Sequence, residues 1–251
     1  MPRIAVSVAG EGALVLFLHG IGGHRQHWQS QLEFFSGRDY QAAAWDARGY
    51  GDSDDYEGPL QFDHFTGDVL RVAQYFKARR MHLVGISMGG RIARNVALRH
   101  PEWLHTLTLV DTSPGFDALS AEQVRRFVSE RKSRTSDSLW RLLGPDPRPE
   151  AYEALLAGFN ALRRESYYKA IEASVAHDRA SPLEEIRVPT LVITGSEDQV
   201  YPPAMARDIA RRIPGAKLVE IECAGHMANL EQPERFNQAI LEFIEAQETR
   251  S

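Results

Sequence analysis

The chain has a single cysteine, Cys223, among its 251 residues. One cysteine excludes an internal disulfide and is typical of a reducing compartment, so we expect a cytoplasmic protein. No apolar run approaches the ~20 residues that a membrane-spanning helix needs. The first eight residues are too short and too polar a stretch for a secretory signal and are interpreted as an opening strand. We therefore expect no membrane partner.

The chain also has no excess of positive charge. Lysine and arginine number 29 against 34 aspartates and glutamates, which gives a net charge of -5 with histidine neutral. Nucleic-acid binding usually requires a basic surface, so no nucleic-acid partner is expected. The histidines and the cysteine do not show the spacing of metal ligands, so neither a metal nor an organic cofactor is implied. The sequence gives no indication of oligomeric state.

The most informative feature that is present is Gly85-Ile86-Ser87-Met88-Gly89. It follows an apolar run that begins at Met81 and precedes a helical pattern that ends before His100-Pro101, because the residue before proline is disfavoured in a helix. A Gly-x-Ser-x-Gly between a strand and a helix is typical of a nucleophile elbow, in which flanking glycines permit a turn that projects the serine hydroxyl. Ser87 is therefore the candidate nucleophile.

Strand and helix patterns alternate along most of the chain, which predicts an α/β fold with a mostly parallel central sheet flanked by helices. The alternation stops between about Ser113 and Arg187, where the pattern is helical and charged. We therefore expect a core at 1–113 and 188–251 and a helical insertion at 114–187, within one compact unit. The arginines and glutamates of the insertion are interpreted as a solvated face. The strands are predicted near 13–19, 40–46, 81–86, 104–111, 190–195 and 217–222.

A serine hydroxyl needs a base, and the base needs an orienting group. Asp198 follows the strand at 190–195 and His226 follows the strand at 217–222, so both lie where open α/β sheets place their sites. Ser87, Asp198 and His226 are the predicted catalytic triad. Two other carboxylates remain alternatives for the acid: Glu197, which neighbours Asp198, and Asp111, which ends the strand at 104–111.

The oxyanion that forms when a serine adds to a carbonyl needs N–H donors. One donor is expected at Met88, the residue after the nucleophile, and the other in the glycine-rich loop that follows the strand at 13–19. Ile21 is the preferred second donor and Gly22 the alternative, with His19 tethering the loop by side-chain hydrogen bonds. The predicted substrate-binding residues are Trp28, Trp140, Phe159 and Met227.

These motifs together resemble those of the α/β-hydrolase superfamily. The residues that carry the resemblance are His19-Gly20-Ile21-Gly22-Gly23, Trp45 to Ser53, Gly85 to Gly90, Asp198 and Gly225 to Glu234. Within the superfamily the chain is similar to compact serine hydrolases that include 3-oxoadipate enol-lactonase and carboxylesterases. The resemblance implies an α/β-hydrolase fold whose helical insertion is a cap that follows the sixth strand.

The resemblance also implies an activity: cleavage of a small carboxylic ester or (enol-)lactone through an acyl-enzyme. Ser87 argues against haloalkane dehalogenases and epoxide hydrolases, which carry Asp at the elbow. Three alternatives stay open: a carbon–carbon bond hydrolase of ring-cleavage products, a ligand receptor with little turnover, and a haloperoxidase side activity. The first typically carries Trp after the catalytic histidine, where this chain has Met227.

Overall fold

The computed structural model describes residues 1–116, 119–177 and 182–249. Mostly apolar runs form a seven-stranded sheet, and its inner strands bury nearly every side chain because helices cover both faces. The strands are β1 Val6–Ala9, β2 Ala13–Leu18, β3 Tyr40–Trp45, β4 Met81–Ile86, β5 Leu104–Val110, β6 Thr190–Gly195 and β7 Lys217–Ile221.

The strand order is β1-β3-β2-β4-β5-β6-β7. Only β1 is antiparallel to its neighbour; each other pair runs parallel, with registers such as Phe17 opposite Val84 and Val84 opposite Thr108. The carboxyl ends of β2, β4, β5, β6 and β7 therefore meet at one edge of the sheet. This topology confirms the predicted α/β fold.

Helices cover both faces of the sheet. The α-helices are α1 Gln29–Ser36, α2 Phe62–Tyr75, α3 Met88–Arg99, α4 Ala121–Lys132, α5 Pro149–Asn160, α6 Arg164–His177, α7 Pro203–Arg212, α8 Ala228–Glu231 and α9 Pro233–Glu248. Val69 of α2 and Ile92 of α3 belong to the core on one face, and Phe35 of α1 and Ile240 of α9 to the core on the other. Successive side chains of β2 alternate between these two cores, as the pleat of a strand requires.

The helical insertion lies between β5 and β6, and its longer described helices are α4, a 3₁₀ helix at Ser136–Leu142, α5 and α6. We call these four the insertion helices. A short 3₁₀ helix at Leu183–Glu185 precedes β6. The prediction that the insertion follows a sixth strand is wrong by one strand. Residues 1–12 contain one strand, β1, and residues 46–61 contain none, so five strands precede the insertion.

None of the helices in the described part of the chain has the length and hydropathy that crossing a membrane requires.

Candidate active site

Ser87 lies at a sharp turn between β4 and α3. Its φ of 56° and ψ of -114° are unfavourable for a residue with a Cβ, and such strain persists only where surrounding contacts enforce it. The Ser87 N–H donates to the Val110 carbonyl at 2.9 Å, and the Thr112 hydroxyl donates to the Ser87 carbonyl at 2.7 Å. A Cβ at Gly89 would overlap the Leu18 carbonyl oxygen, so glycine is required there. These contacts fix the turn that the Gly-x-Ser-x-Gly motif predicts.

The remaining polar residues of the site follow the neighbouring strands in turn. Asp111 comes directly after β5, Asp198 lies in the loop after β6, and His226 lies in the loop after β7. Parallel strands bring their carboxyl ends to the same edge, which is why residues far apart in sequence meet here. Ser87 and His226 line one cavity, which we call the Ser87 cavity.

His226 is held by Asp198. The imidazole Nδ1 lies 2.9 Å from Asp198 Oδ2, and both side chains are buried. The other carboxylate oxygen, Oδ1, accepts from the N–H groups of Val200 at 2.7 Å and Tyr201 at 3.0 Å. Since a carboxylate only accepts, the Nδ1 N–H donates to it, and Nε2 is then the acceptor nitrogen of the neutral imidazole. The ring of Tyr201 packs edge-on against the imidazole at 5.6 Å between ring centroids.

Asp111, the alternative acid, is engaged elsewhere. Its Oδ1 accepts from the Gly195 N–H at 2.9 Å, and its Oδ2 is buried without a hydrogen-bond partner in the described part of the chain. Burial, reinforced by the negative charge of Asp198, raises the pKa of Asp111 well above its ordinary value. The imidazole contact therefore belongs to Asp198 and not to Asp111.

The glycine-rich loop after β2 passes beside the nucleophile. A Cβ added to Gly20 would lie 3.0 Å from Ser87 Cβ, and Gly20, Ile21, Gly22 and Gly23 all line the Ser87 cavity. His19 tethers the loop as expected: its Nε2 accepts from the Ala47 N–H at 3.0 Å, and its Nδ1 lies 2.8 Å from the Gly20 carbonyl oxygen. Burial lowers the pKa of His19 to about 4, so the ring is neutral at pH 7.

Met88 occupies the first position of α3, where backbone N–H groups have no partner within the helix. Its side chain points into the core with Ile92. The backbone N–H of Met88 can therefore donate to an anion, while its side chain packs in the core. Ile21 and Met88 are far apart in the chain. Ile21 follows β2 and Met88 follows β4, and the pairing of these two strands brings the residues to the same edge of the sheet.

The loop that carries His226 is fixed to the insertion by Glu231, a residue that sequence reasoning missed. One carboxylate oxygen of Glu231 accepts from the Gly225 N–H at 2.9 Å and the other from the Gly144 N–H at 2.6 Å. Burial raises the pKa of Glu231, which is fully enclosed. The His226 N–H donates to the Leu142 carbonyl at 2.8 Å. The role of Glu231 could not be predicted from the sequence, because one of its two partners, Gly144, lies 87 residues away.

The walls of the Ser87 cavity are mostly apolar and come from both the core and the insertion helices. Of the four predicted substrate-binding residues, Phe159 and Met227 line it. The apolar lining consists of Ile21, Ile86, Leu139, Leu142, Leu155, Phe159, Val200 and Met227, with Tyr167 beside them.

Trp28 and Trp140 do not line the cavity, so both predictions are wrong. Trp28 is completely buried in the core, with its ring 5.0 Å from that of Phe17. Trp140 is 59% exposed. In a 3₁₀ helix residues three apart share a face, so the face that presents Leu139 and Leu142 to the cavity turns Trp140 outward.

Arg131 and Arg134 also line the Ser87 cavity, although the sequence reading assigned the arginines of the insertion to a solvated face. A signal was available for Arg131: it lies four residues after Phe127 and so shares a face of α4 with an apolar ring. Its guanidinium carbon lies 3.2 Å from the centre of that ring.

Comparisons with known proteins agree with this architecture. The chain matches the Alpha/beta hydrolase family over residues 15–239. It is 28% identical over 232 residues to 3-oxoadipate enol-lactonase 2 of Acinetobacter baylyi, with 90% of this chain and 86% of that protein covered.

Two solved structures are similar over nearly the whole chain. The enol-lactonase from Burkholderia xenovorans LB400 has a TM-score of 0.87 and 26% identity, covering 97% of this chain and 96% of that one. A thermophilic esterase from Thermogutta terrifontis, solved with malate bound, has a TM-score of 0.88 and 27% identity, covering 97% and 93%. Because the family match spans most of its length, the chain belongs to the α/β-hydrolase family and is a hydrolase.

Proposed function

We propose that the protein hydrolyses small carboxylic esters or lactones through an acyl-enzyme, with Ser87, His226 and Asp198 as its catalytic triad. The observation that carries the proposal is the 2.9 Å contact between His226 Nδ1 and Asp198 Oδ2, with His226 lining the same cavity as the elbow serine. The names of the similar proteins, an enol-lactonase and an esterase, support the same class of substrate.

In the proposed reaction, His226 Nε2 takes the proton of the Ser87 hydroxyl as the serine oxygen attacks the carbonyl carbon. Asp198 keeps the imidazole in the required tautomer and stabilises its charged form. The alcohol leaves with a proton from His226, and water then attacks the acyl-enzyme with the same histidine as base. Catalytic hydrogen bonds are often long before substrate binds, and among the described residues Ser87 and His226 are not yet joined by one.

The oxyanion of each tetrahedral intermediate is proposed to accept from the N–H groups of Ile21 and Met88, with Gly22 as the alternative to Ile21. The support is that Gly20 to Gly23 pass beside Ser87 and that Met88 begins α3. Loss of one such donor costs on the order of 3 kcal/mol of transition-state stabilisation. The insertion helices are proposed to act as the cap that closes this site against water.

Substitution of Ser87 by alanine tests the proposal. We expect Ser87→Ala to abolish hydrolysis of 4-nitrophenyl acetate and to keep the circular dichroism spectrum of the parent. The matched control is Ser129→Ala, a serine on the exposed side of α4 outside the cavity. Hydrolysis by Ser87→Ala at the parent rate would show that the nucleophile is another group.

A further inference from the structure

Two arginines line the Ser87 cavity beside its apolar residues. Arg131 is in the last turn of α4 and Arg134 follows two residues after the helix ends. Both line the cavity that contains Ser87 and His226, and both are half-buried. An apolar pocket with a few charged groups uses those groups to orient its ligand.

Neither guanidinium has a carboxylate within ion-pair distance among residues 1–116, 119–177 and 182–249. The acid adjacent to Arg131 is occupied, since Glu130 binds Arg126 at 2.7 Å on the exposed side of α4. Arg131 packs over the Phe127 ring and donates to the Phe127 carbonyl at 3.4 Å, both uncharged partners.

The local electrostatics favour an added negative charge. Burial lowers the pKa of Arg131, and the positive charge of Arg134 acts in the same direction. The Tyr167 hydroxyl lies at the same place, where it donates to the Arg131 carbonyl at 2.9 Å. A half-buried cation without a counter-ion is costly, and a bound anion removes that cost.

The same two arginines lie between the cavity and the surface. They also line an outer groove along α4, whose other charged residues are Arg126, Arg141 and Glu130. The groove is therefore basic, although the chain as a whole carries a net charge of -5. A basic entrance raises the local concentration of anionic ligands and their rate of association.

We infer that the ester or lactone cleaved by this enzyme carries a carboxylate, which Arg131 and Arg134 bind while Ser87 attacks the acyl carbon. The inference rests on the proposed function, since it names the substrate class of that same site. A guanidinium presents planar, paired N–H donors that match the two oxygens of a carboxylate. The apolar residues that line the same cavity, such as Leu139, Leu155 and Phe159, would cover the carbon chain that joins the two groups.

The test compares esters that differ only in charge. The probes are the 4-nitrophenyl monoesters of adipic, pimelic and suberic acids, each paired with its neutral methyl ester. Shorter diacids are avoided because their free carboxylate attacks the ester and forms a cyclic anhydride without enzyme. The measured quantity is the ratio of kcat/KM for the charged ester to kcat/KM for its neutral partner.

We expect the parent enzyme to prefer at least one charged ester about 10-fold or more. Arg131→Met and Arg134→Met should each lower that ratio about 10- to 100-fold, which is the range for a hydrogen bond between charged groups. Methionine keeps an unbranched stem that packs on Phe127, so the change removes charge more than volume. Arg131→Lys should restore part of the preference.

Arg125→Met is the matched control, because Arg125 lies on the same helix, is exposed, and lines neither the cavity nor the outer groove. It should leave the ratio unchanged. Added salt should reduce the preference of the parent enzyme, since screening weakens attraction at the entrance.

The outcomes separate the two proposals. Hydrolysis of the neutral esters with no preference for the charged ones, or a ratio that both methionine variants retain, would overturn the inference and leave the proposed function standing. Failure of the parent enzyme to cleave any ester would reject both proposals. A preference that falls in both variants and persists in Arg125→Met would support the carboxylate.

Discussion

The assignment of Asp198 as the catalytic acid can be tested by exchanging one oxygen of its carboxylate for nitrogen. Asp198→Asn replaces the carboxylate oxygen that faces the imidazole with an NH2 group. The amide oxygen can keep the bonds from the Val200 and Tyr201 N–H groups, which are 2.7 and 3.0 Å from Asp198 Oδ1 in the parent. The loop should therefore stay folded, and the new NH2 group then points at His226 Nδ1.

The expected loss of kcat follows from the tautomer that His226 would adopt in the variant. An NH2 group donates, so Nδ1 must become the acceptor and Nε2 must carry the proton, which leaves no acceptor for the serine hydroxyl. The same exchange in a serine-protease triad lowers kcat by about 10⁴. We expect a loss of about 10³- to 10⁴-fold in kcat, or roughly 4 to 5.5 kcal/mol of activation free energy, with little change in KM.

Asp111→Asn is the matched control, since it makes the same exchange one strand away. Its side chain accepts from the Gly195 N–H and does not contact the imidazole, and burial together with the charge of Asp198 raises its pKa. We expect less than about a 10-fold fall in kcat, measured with 4-nitrophenyl acetate at pH 8 beside a urea denaturation curve. A larger loss for Asp111→Asn than for Asp198→Asn would refute the assignment.

Two further predictions concern stability. Burial lowers the pKa of His27 to about 3 from 6.5, so folding favours the neutral ring and its contribution is lost as pH falls below 6.5. The free energy of unfolding, measured by urea titration, should fall between pH 7.5 and pH 5.0 by about 2 kcal/mol less in His27→Gln than in the parent. Equal falls in the two proteins would contradict the burial argument. Glu231→Gln places an NH2 group against the N–H of Gly144 or Gly225 and should cost about 1–3 kcal/mol of stability. It should also lower kcat more than it raises KM, because Gly225 precedes His226; an unchanged kcat would limit Glu231 to a purely structural role.

Local sequence patterns predicted the framework of this protein well. The alternation of apolar runs and helical patterns predicted the α/β fold, because both periods follow from backbone geometry alone. The elbow at Ser87 was predictable for the same reason, since flanking glycines and a strand-to-helix junction are local features. Positions just past strand ends then indicated Asp198 and His226, because parallel strands end at one edge.

Other features depended on which surfaces pack together. Trp28 and Trp140 were predicted to be pocket walls, yet one lies in the core and the other faces solvent. The pattern of a short 3₁₀ helix or a loop does not tell which side will be covered. The same limit applies to Asp111, whose pKa is raised by burial and by the charge of Asp198, 87 residues away in the chain.

The fold class, the strand-end positions of the polar residues and the serine at the elbow could be predicted from local patterns, because each depends on neighbours within about one turn or one strand. Three further features became known from the packed chain: Asp198 rather than Asp111 contacts the imidazole, Glu231 joins the His226 loop to the insertion, and Arg131 and Arg134 line the cavity. The physical reason is that burial, hydrogen-bond partners and uncompensated charge are set by segments distant in sequence, which meet only when the sheet and the insertion helices pack together.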